Sequence, residues 1–278
     1  MVSINCKGTL IDFDSPKVMG ILNVTPDSFY DGGSYKNEKD ILAQAEKMLN
    51  DGATFIDVGA YSSRPDAEDI RVEEECNRLI PVVELLLKNF PEVLLSIDTF
   101  RSKVAQEAVT AGAALINDIS AGLLDPEMLP TVAKLQVPYI LMHMRGTPQT
   151  MKGLTDYDDL VKEVLFYLSE RVAAARALGL NDIIVDPGLG FAKTITQNYE
   201  LLNATEKLQI LDLPILIGLS RKSMITKTLG IDAASALNGT TALNMVALQK
   251  GASILRVHDV KEAVETVSLY QALKAESL

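Results

Sequence analysis

Short runs dense in Ile, Val and Leu recur eight times along the chain, at residues 18–23, 55–59, 94–98, 115–119, 139–143, 183–186, 215–220 and 253–258. Most are near-continuous apolar runs, as in strands covered on both faces. Stretches with helical spacing separate them. Ile41, Leu42, Ala45, Met48 and Leu49 mark one face of the first. Residues 158–178 predict a long helix rich in Ala, Glu and Arg, and Asp259-Val260-Lys261-Glu262 has the form of a capping box opening the last one. Strand and helix in alternation predict a parallel sheet. Eight such units in about 250 residues match a closed (β/α)8 TIM barrel in size. An open doubly wound sheet is the structural rival, because strand number alone does not require closure.

No Pro/Gly/Ser-rich linker interrupts the pattern, so the 278 residues are expected to form a single α/β domain. Residues 1–17 precede the first barrel strand. Within them, residues 3–6 and 9–13 flank Lys7-Gly8 and predict a hairpin that caps one end of the barrel. With no Trp and 5% aromatic residues, aliphatic side chains and Met must fill the core. A net charge of −11 without a basic stripe argues against nucleic acid or an anionic membrane as partner. No apolar stretch approaches the roughly 18 residues of a membrane helix. The two cysteines, Cys6 and Cys76, lie far apart and form no CxxC pattern; with no signal-peptide pattern at the start, they predict reduced thiols in a cytoplasmic protein.

Three helix-to-strand junctions repeat one another: Gly52-Ala53-Thr54-Phe55-Ile56-Asp57, Gly112-Ala113-Ala114-Leu115-Ile116-Asn117 and Gly251-Ala252-Ser253-Ile254-Leu255-Arg256. Each Gly suits a helix C′ position, where positive φ is needed. Each junction then delivers a polar residue at the same step. The other five predicted strands also end in polar groups, namely Asn23, Asp98, His143, Asp186, and Ser220 with Arg221 and Lys222, while Asp118 and His258 follow Asn117 and Arg256 on their own strands. In a (β/α)8 barrel the C-terminal ends of the strands form the active-site face. Carboxylates there, such as Asp98 and Asp186, suit a heteroaromatic edge of amino and ring N–H donors. Arg256, His258 and Asn23 suit an anionic leaving group, with a hard cation bridging its phosphate oxygens. Thr25-Pro26-Asp27-Ser28-Phe29-Tyr30-Asp31-Gly32-Gly33-Ser34-Tyr35 and Ser62-Ser63-Arg64-Pro65-Asp66-Ala67 are dense in turn residues; they read either as surface turns or as lids over the barrel mouth.

Met19-Gly20-Ile21-Leu22-Asn23-Val24-Thr25-Pro26-Asp27-Ser28-Phe29 and residues 57–67 resemble the two signatures of dihydropteroate synthases. Ser96-Ile97-Asp98-Thr99, Ile116-Asn117-Asp118-Ile119, Leu141-Met142-His143-Met144, Asp186-Pro187-Gly188, Gly218-Leu219-Ser220-Arg221-Lys222-Ser223 and Arg256-Val257-His258-Asp259 continue the likeness in family order. The resemblance implies a (β/α)8 barrel that joins a pterin pyrophosphate to p-aminobenzoate with magnesium as cofactor, as a homodimer. It implies that Asp98, Asn117, Asp186 and Lys222 hold the pterin edge. Ile119, Met142 and Gly218 shape the slot, and Arg256 covers the pterin face. Asn23, Ser63, Arg64, Arg256 and His258 take the pyrophosphate, Asn23 also meeting magnesium. Phe29, Ser63, Arg64, Pro65, Phe191, Lys222 and Ser223 surround p-aminobenzoate. Asp27, Asp31, Lys222 and Arg256 then form the catalytic set.

The second loop departs from the commoner family form, Gly-Glu-Ser-Thr-Arg-Pro-Gly, reading Ala60-Tyr61-Ser62-Ser63-Arg64-Pro65-Asp66, and Ala192 stands where glycine is frequent. These changes touch the expected p-aminobenzoate pocket and leave the expected pterin ligands in place. Two rival readings are a methyltetrahydrofolate methyltransferase serving a corrinoid and a pterin-binding paralogue without catalysis. Pyrophosphate binding with magnesium separates the first; loss of the expected ligands would mark the second, and all of them are present.

Overall fold

The computed structural model describes residues 2–24, 35–61 and 70–275. Two strands, β1 (Ser3–Cys6) and β2 (Thr9–Asp12), form an antiparallel hairpin. The turn residues Lys7 and Gly8 both take positive φ, 53° and 87°, which matches a two-residue hairpin turn to the strand twist. Eight parallel strands follow: β3 (Lys17–Asn23), β4 (Phe55–Gly59), β5 (Leu94–Asp98), β6 (Leu115–Asp118), β7 (Tyr139–Met142), β8 (Ile183–Asp186), β9 (Leu216–Ile217) and β10 (Ile254–Val257). Their order is β8-β7-β6-β5-β4-β3-β10-β9. A parallel bridge between Val185 and Ile215, with the Val185 N–H donating to Pro214 O at 3.0 Å, joins the two ends. The ring therefore closes, and the open-sheet rival is excluded.

Helices alternate with the strands: α1 (Tyr35–Asn50), α2 (Val72–Asn89), α3 (Ser102–Thr110), α4 (Met128–Leu135), α5 (Leu160–Ala177), α6 (Ile195–Asn203), α7 (Ser223–Leu229), α8 (Leu237–Gln249) and α9 (Val260–Ala275). The three repeated junctions are alike in detail. Gly52, Gly112 and Gly251 have φ of 98°, 112° and 93°. At each, the Gly N–H returns to the carbonyl three residues back and the next N–H to the carbonyl five back, as in Gly52 to Leu49 and Ala53 to Met48. This pairing satisfies the last helical carbonyls while reversing the chain into a strand.

Strand alternation sorts the barrel interior into layers. Met19, Phe55, Leu115, Ile140, Ile184, Leu216 and Ile254 form one buried apolar cluster with Ile4 and Cys6 of the hairpin, which caps the N-terminal end. The residues between them in sequence, such as Ile56, Leu95, Ile116 and Leu255, join a larger core under the helices. Two steps past the apolar interior layer, the same inward faces carry Asp57, Asn117, Met142, Asp186, Gly218 and Arg256. The fold thus places a polar layer on an apolar floor at the C-terminal mouth.

Several boundaries differ from the sequence reading. The seventh barrel strand spans Leu216–Ile217 rather than residues 215–220, because Leu219 O closes a turn with the Lys222 N–H. His143, Ile119 and His258 lie just past strand ends rather than within them. The expected capping box at α9 is replaced by another contact: Asp259 gives its carboxylate oxygens to Arg221, at 2.9 and 2.6 Å.

Candidate active site

The three residues delivered by the repeated junctions meet one another. Arg256 Nε donates to Asp57 Oδ2 at 2.6 Å, and Asn117 Nδ2 donates to the same oxygen at 3.0 Å. Arg256 Nη2 donates to Asp98 Oδ2 at 2.7 Å. The Asp57 side chain is fully buried, while those of Arg256 and Asp98 are 18% and 19% exposed. Burial raises the Asp98 carboxyl to about 7 against the pull of Arg256, with Asp57 adding to the rise. The two carboxylates hold the Arg256 guanidinium charged. Asp57 is therefore the centre of the network. Its signal in the sequence was the repeat: it stands at the same step as Asn117 and Arg256.

Across the mouth, Asp186 ends β8 with Oδ1 accepting from the Gly188 N–H at 2.7 Å. Burial raises its pKa, and Lys222 opposes that rise. Lys222 donates to Leu189 O and lies 4.9 Å from the centre of the Phe191 ring. Burial lowers the Lys222 ammonium to about 8, Asp186 resisting and Arg256 assisting. Met142 and Ile119, 4% and 5% exposed, join Met144, Met151 and Ala192 in an apolar wall flanked by Phe100 and Phe191. Ser223 opens α7 at the exposed rim.

Ser220 and His258 stand beside this group at the end of β10. Ser220 Oγ accepts from the His258 N–H at 3.2 Å and lies 3.0 Å from His258 Nδ1. A hydroxyl that donates to Nδ1 leaves Nε2–H as a free donor at the rim. Crowding by the surrounding chain, then the charge of Arg256, lower the His258 pKa. Asn23 ends β3 with an exposed side chain, between β10 and β4. Asp27, Phe29, Asp31, Ser63, Arg64 and Pro65 lie outside the described residues. Tyr61, the departure before the second loop, packs edge-on to Phe100 at 5.1 Å and accepts from Gln149 at 3.1 Å.

Sequence reasoning missed Lys193. It is buried against the loop after β8, with Nζ 2.9 Å from His143 Nδ1. A lone lysine among apolar loop residues offers no periodic or spacing signal.

A closed barrel whose mouth pairs carboxylates with cations above an apolar floor is the arrangement of a ligand-binding (β/α)8 enzyme. The family model described as pterin binding enzyme matches residues 19–258. The dihydropteroate synthase of Escherichia coli K12 is 44% identical over 96% of this chain and 94% of its own length. The crystal structure of Yersinia pestis dihydropteroate synthase in a sulfonamide drug complex superposes with a TM-score of 0.92, at 41% identity, over 99% of this chain and 100% of that one. The Xanthomonas albilineans dihydropteroate synthase, solved with 4-aminobenzoic acid, gives 0.91 and 40% over 98% of both chains. This chain belongs to the pterin-binding enzymes and, among them, to the dihydropteroate synthase family.

Proposed function

We propose that the protein joins 6-hydroxymethyl-7,8-dihydropterin pyrophosphate to p-aminobenzoate, giving 7,8-dihydropteroate and pyrophosphate. The observation that carries this reading is the polar layer itself: two separately held carboxylates, Asp98 and Asp186, face one slot flanked by Lys222 and Arg256. An ionised carboxylate accepts only, so it matches the amino and ring N–H edge of a pterin. Asn117 adds an amide, and Ile119, Met142 and Gly218 supply the flat walls. Arg256 covers the ring face, a role that suits a planar guanidinium. His258 Nε2–H and Arg256 then lie on the pyrophosphate side.

In the reaction, the bond between the pterin methylene carbon and the pyrophosphate oxygen breaks, and its electron pair leaves with pyrophosphate. The electron-rich pterin stabilises the methylene cation. The arylamine nitrogen attacks that carbon and releases its proton to solvent. The arylamine is neutral near pH 7, so the side chains position the reactants and stabilise charge rather than supply a strong base. Phe191, Lys222 and Ser223 border the p-aminobenzoate side. Phe29, Ser63, Arg64 and Pro65 join them, and Asp27 and Asp31 the catalytic set, on the strength of the family motifs.

Asn23 offers an exposed amide oxygen, a hard donor of the type magnesium takes beside phosphate oxygens and water. Magnesium at Asn23 would offset charge on the departing pyrophosphate. The apolar groove between α6 and α8, lined by Tyr199, Leu202, Leu243 and Val246, supports a homodimer, which sedimentation would test. Cys6 and Cys76 are both free and buried, in keeping with a cytoplasmic protein.

The deciding experiment is pyrophosphate release from the pterin pyrophosphate with magnesium, with and without p-aminobenzoate. Release coupled to dihydropteroate formation supports the reading. A folded protein that binds pterin and releases no pyrophosphate overturns it.

A further inference from the structure

The loop between Asp186 and Lys193 forms one wall of the slot, and its shape is strongly constrained. Gly188, Gly190 and Ala192 all take positive φ, at 70°, 87° and 48°. A Cβ on Gly188 would sit 2.0 Å from His143 O, so the turn presses directly on the end of β7. Beneath it runs the Lys193 side chain. Its Nζ meets Gly188 O at 2.9 Å, Phe191 O at 3.0 Å and His143 Nδ1 at 2.9 Å. An ammonium carries three N–H donors, and each has an acceptor here.

This contact set is unusual for a buried lysine. Its direct partners are two carbonyls and an imidazole, and no carboxylate is among them. Burial lowers the ammonium to about 7, with Asp186 opposing and Lys222 and Arg145 adding to the fall. The imidazole is itself held neutral by burial and by Lys193. If the amine is neutral, it still donates to both carbonyls and accepts from the other His143 tautomer. The clamp therefore keeps all its contacts in either charge state. Buried polar groups so fully paired fix a single arrangement of the chain around them.

What the clamp holds is functional. Gly188 N–H orients the Asp186 carboxylate, Leu189 O receives Lys222, and the Phe191 ring lies beside the Lys222 ammonium. We propose that Lys193, through His143 and the carbonyls of Gly188 and Phe191, is a positioning residue that sets the p-aminobenzoate side of the slot. It touches neither substrate; it acts through Phe191 and Lys222. The inference rests on the synthase reading above.

The test is steady-state turnover of the full chain and its Lys193→Met variant, which keeps the length and loses the donors. The unaltered chain is measured first: no turnover would overturn the synthase reading itself. Given turnover, we expect Lys193→Met to raise KM for p-aminobenzoate about tenfold and to change kcat less than about twofold. Combined with Phe191→Ala, the KM effect should be clearly less than the product of the two single effects. Lys193→Gln, which retains a donor for one carbonyl, should show the same split at smaller size, and it carries the test if the Met variant does not fold. An unchanged KM in an active, folded variant, an equal loss in kcat, or full additivity with Phe191→Ala would each overturn the inference alone.

Discussion

Asp98 and Asp186 share one polar layer, yet the fold holds them in different ways. Asp98 is tied to a cation through Arg256, which is tied in turn to the fully buried Asp57. Asp186 has a backbone N–H for company and feels Lys222 across space, with the lysine head hydrogen-bonded to Leu189 O. The difference teaches how a barrel mouth divides its work. The Asp57–Arg256–Asp98 side spends its charges on one another and is a structural frame at the barrel mouth. The Asp186 side has no cation in direct hydrogen-bond contact, so its charge stays uncommitted, and it is the better place for a ligand's donors.

The largest effect should come from breaking the uncommitted side. In Asp186→Asn the amide offers an N–H where a pterin edge also offers donors. Sites built on buried hydrogen bonds lose several orders of magnitude when one partner is mismatched. We expect kcat/KM for the pterin substrate to fall by about 10³-fold or more, with little change in the unfolding midpoint. Retained pterin binding by calorimetry would show that Asp186 does not contact the pterin edge.

The frame side should respond in the opposite currency. Asp57→Ala leaves Arg256 with Asp98 as its carboxylate partner and removes the acceptor of Asn117. Breaking a buried ion pair from one end costs roughly 3 kcal/mol or more. Denaturant unfolding should register about 3 kcal/mol of lost stability. A change in turnover with stability intact would instead make Asp57 part of the ligand contact.

How far this division was legible in the sequence follows from the same residues. Strand number, the hairpin cap and the polar strand ends were readable because periodicity and turn chemistry are local. Asp98 and Asp186 were found as strand-end carboxylates, but their different partners were not, since pairing depends on which strands become neighbours. Closure of the ring depends on a single bridge between Val185 and Ile215, which no local pattern announces. The repeat marked Asp57, Asn117 and Arg256 as equivalent, but not that they would meet, since Arg256 lies nearly two hundred residues from Asp57 in the chain. Lys193 was invisible because two of its three partners are main-chain carbonyls and the third, His143, lies fifty residues away in the chain.

A titration would sharpen the comparison further. Asp98 is raised from its ordinary 3.8 to about 7. The folded chain therefore holds a proton that the unfolded chain releases, and the resulting stabilisation, complete below 3.8, is lost as pH rises through about 7. Lys222 has the opposite sign. Lowered from 10.5 to about 8, it costs stability at lower pH, and that cost is relieved as pH rises from about 8 towards 10.5. For a ligand that needs both charges, affinity should rise through about pH 7 and decline above about 8, by up to tenfold per unit outside that window. Pterin affinity measured against pH checks this, and Asp98→Asn should flatten the acid limb alone. An acid limb that survives in Asp98→Asn would assign it to Asp186 instead.

The smallest effect tests how rigid the Asp186 wall must be. Ala192 holds a φ of 48°, where a Cβ costs roughly 1 kcal/mol and glycine sits freely. Its methyl is also buried among Met142 and Phe191, and losing such a group costs about 0.8 kcal/mol. In Ala192→Gly the two nearly cancel, so stability should move by less than about 0.5 kcal/mol. Glycine nevertheless widens the conformations open to the turn, and Phe191 is the residue before it. We therefore expect a modest rise in KM for p-aminobenzoate, about two- to threefold, with the pterin terms unchanged. An equal loss on both substrates would mean that Ala192 steadies Asp186 as well as Phe191, and that the wall acts as one rigid piece.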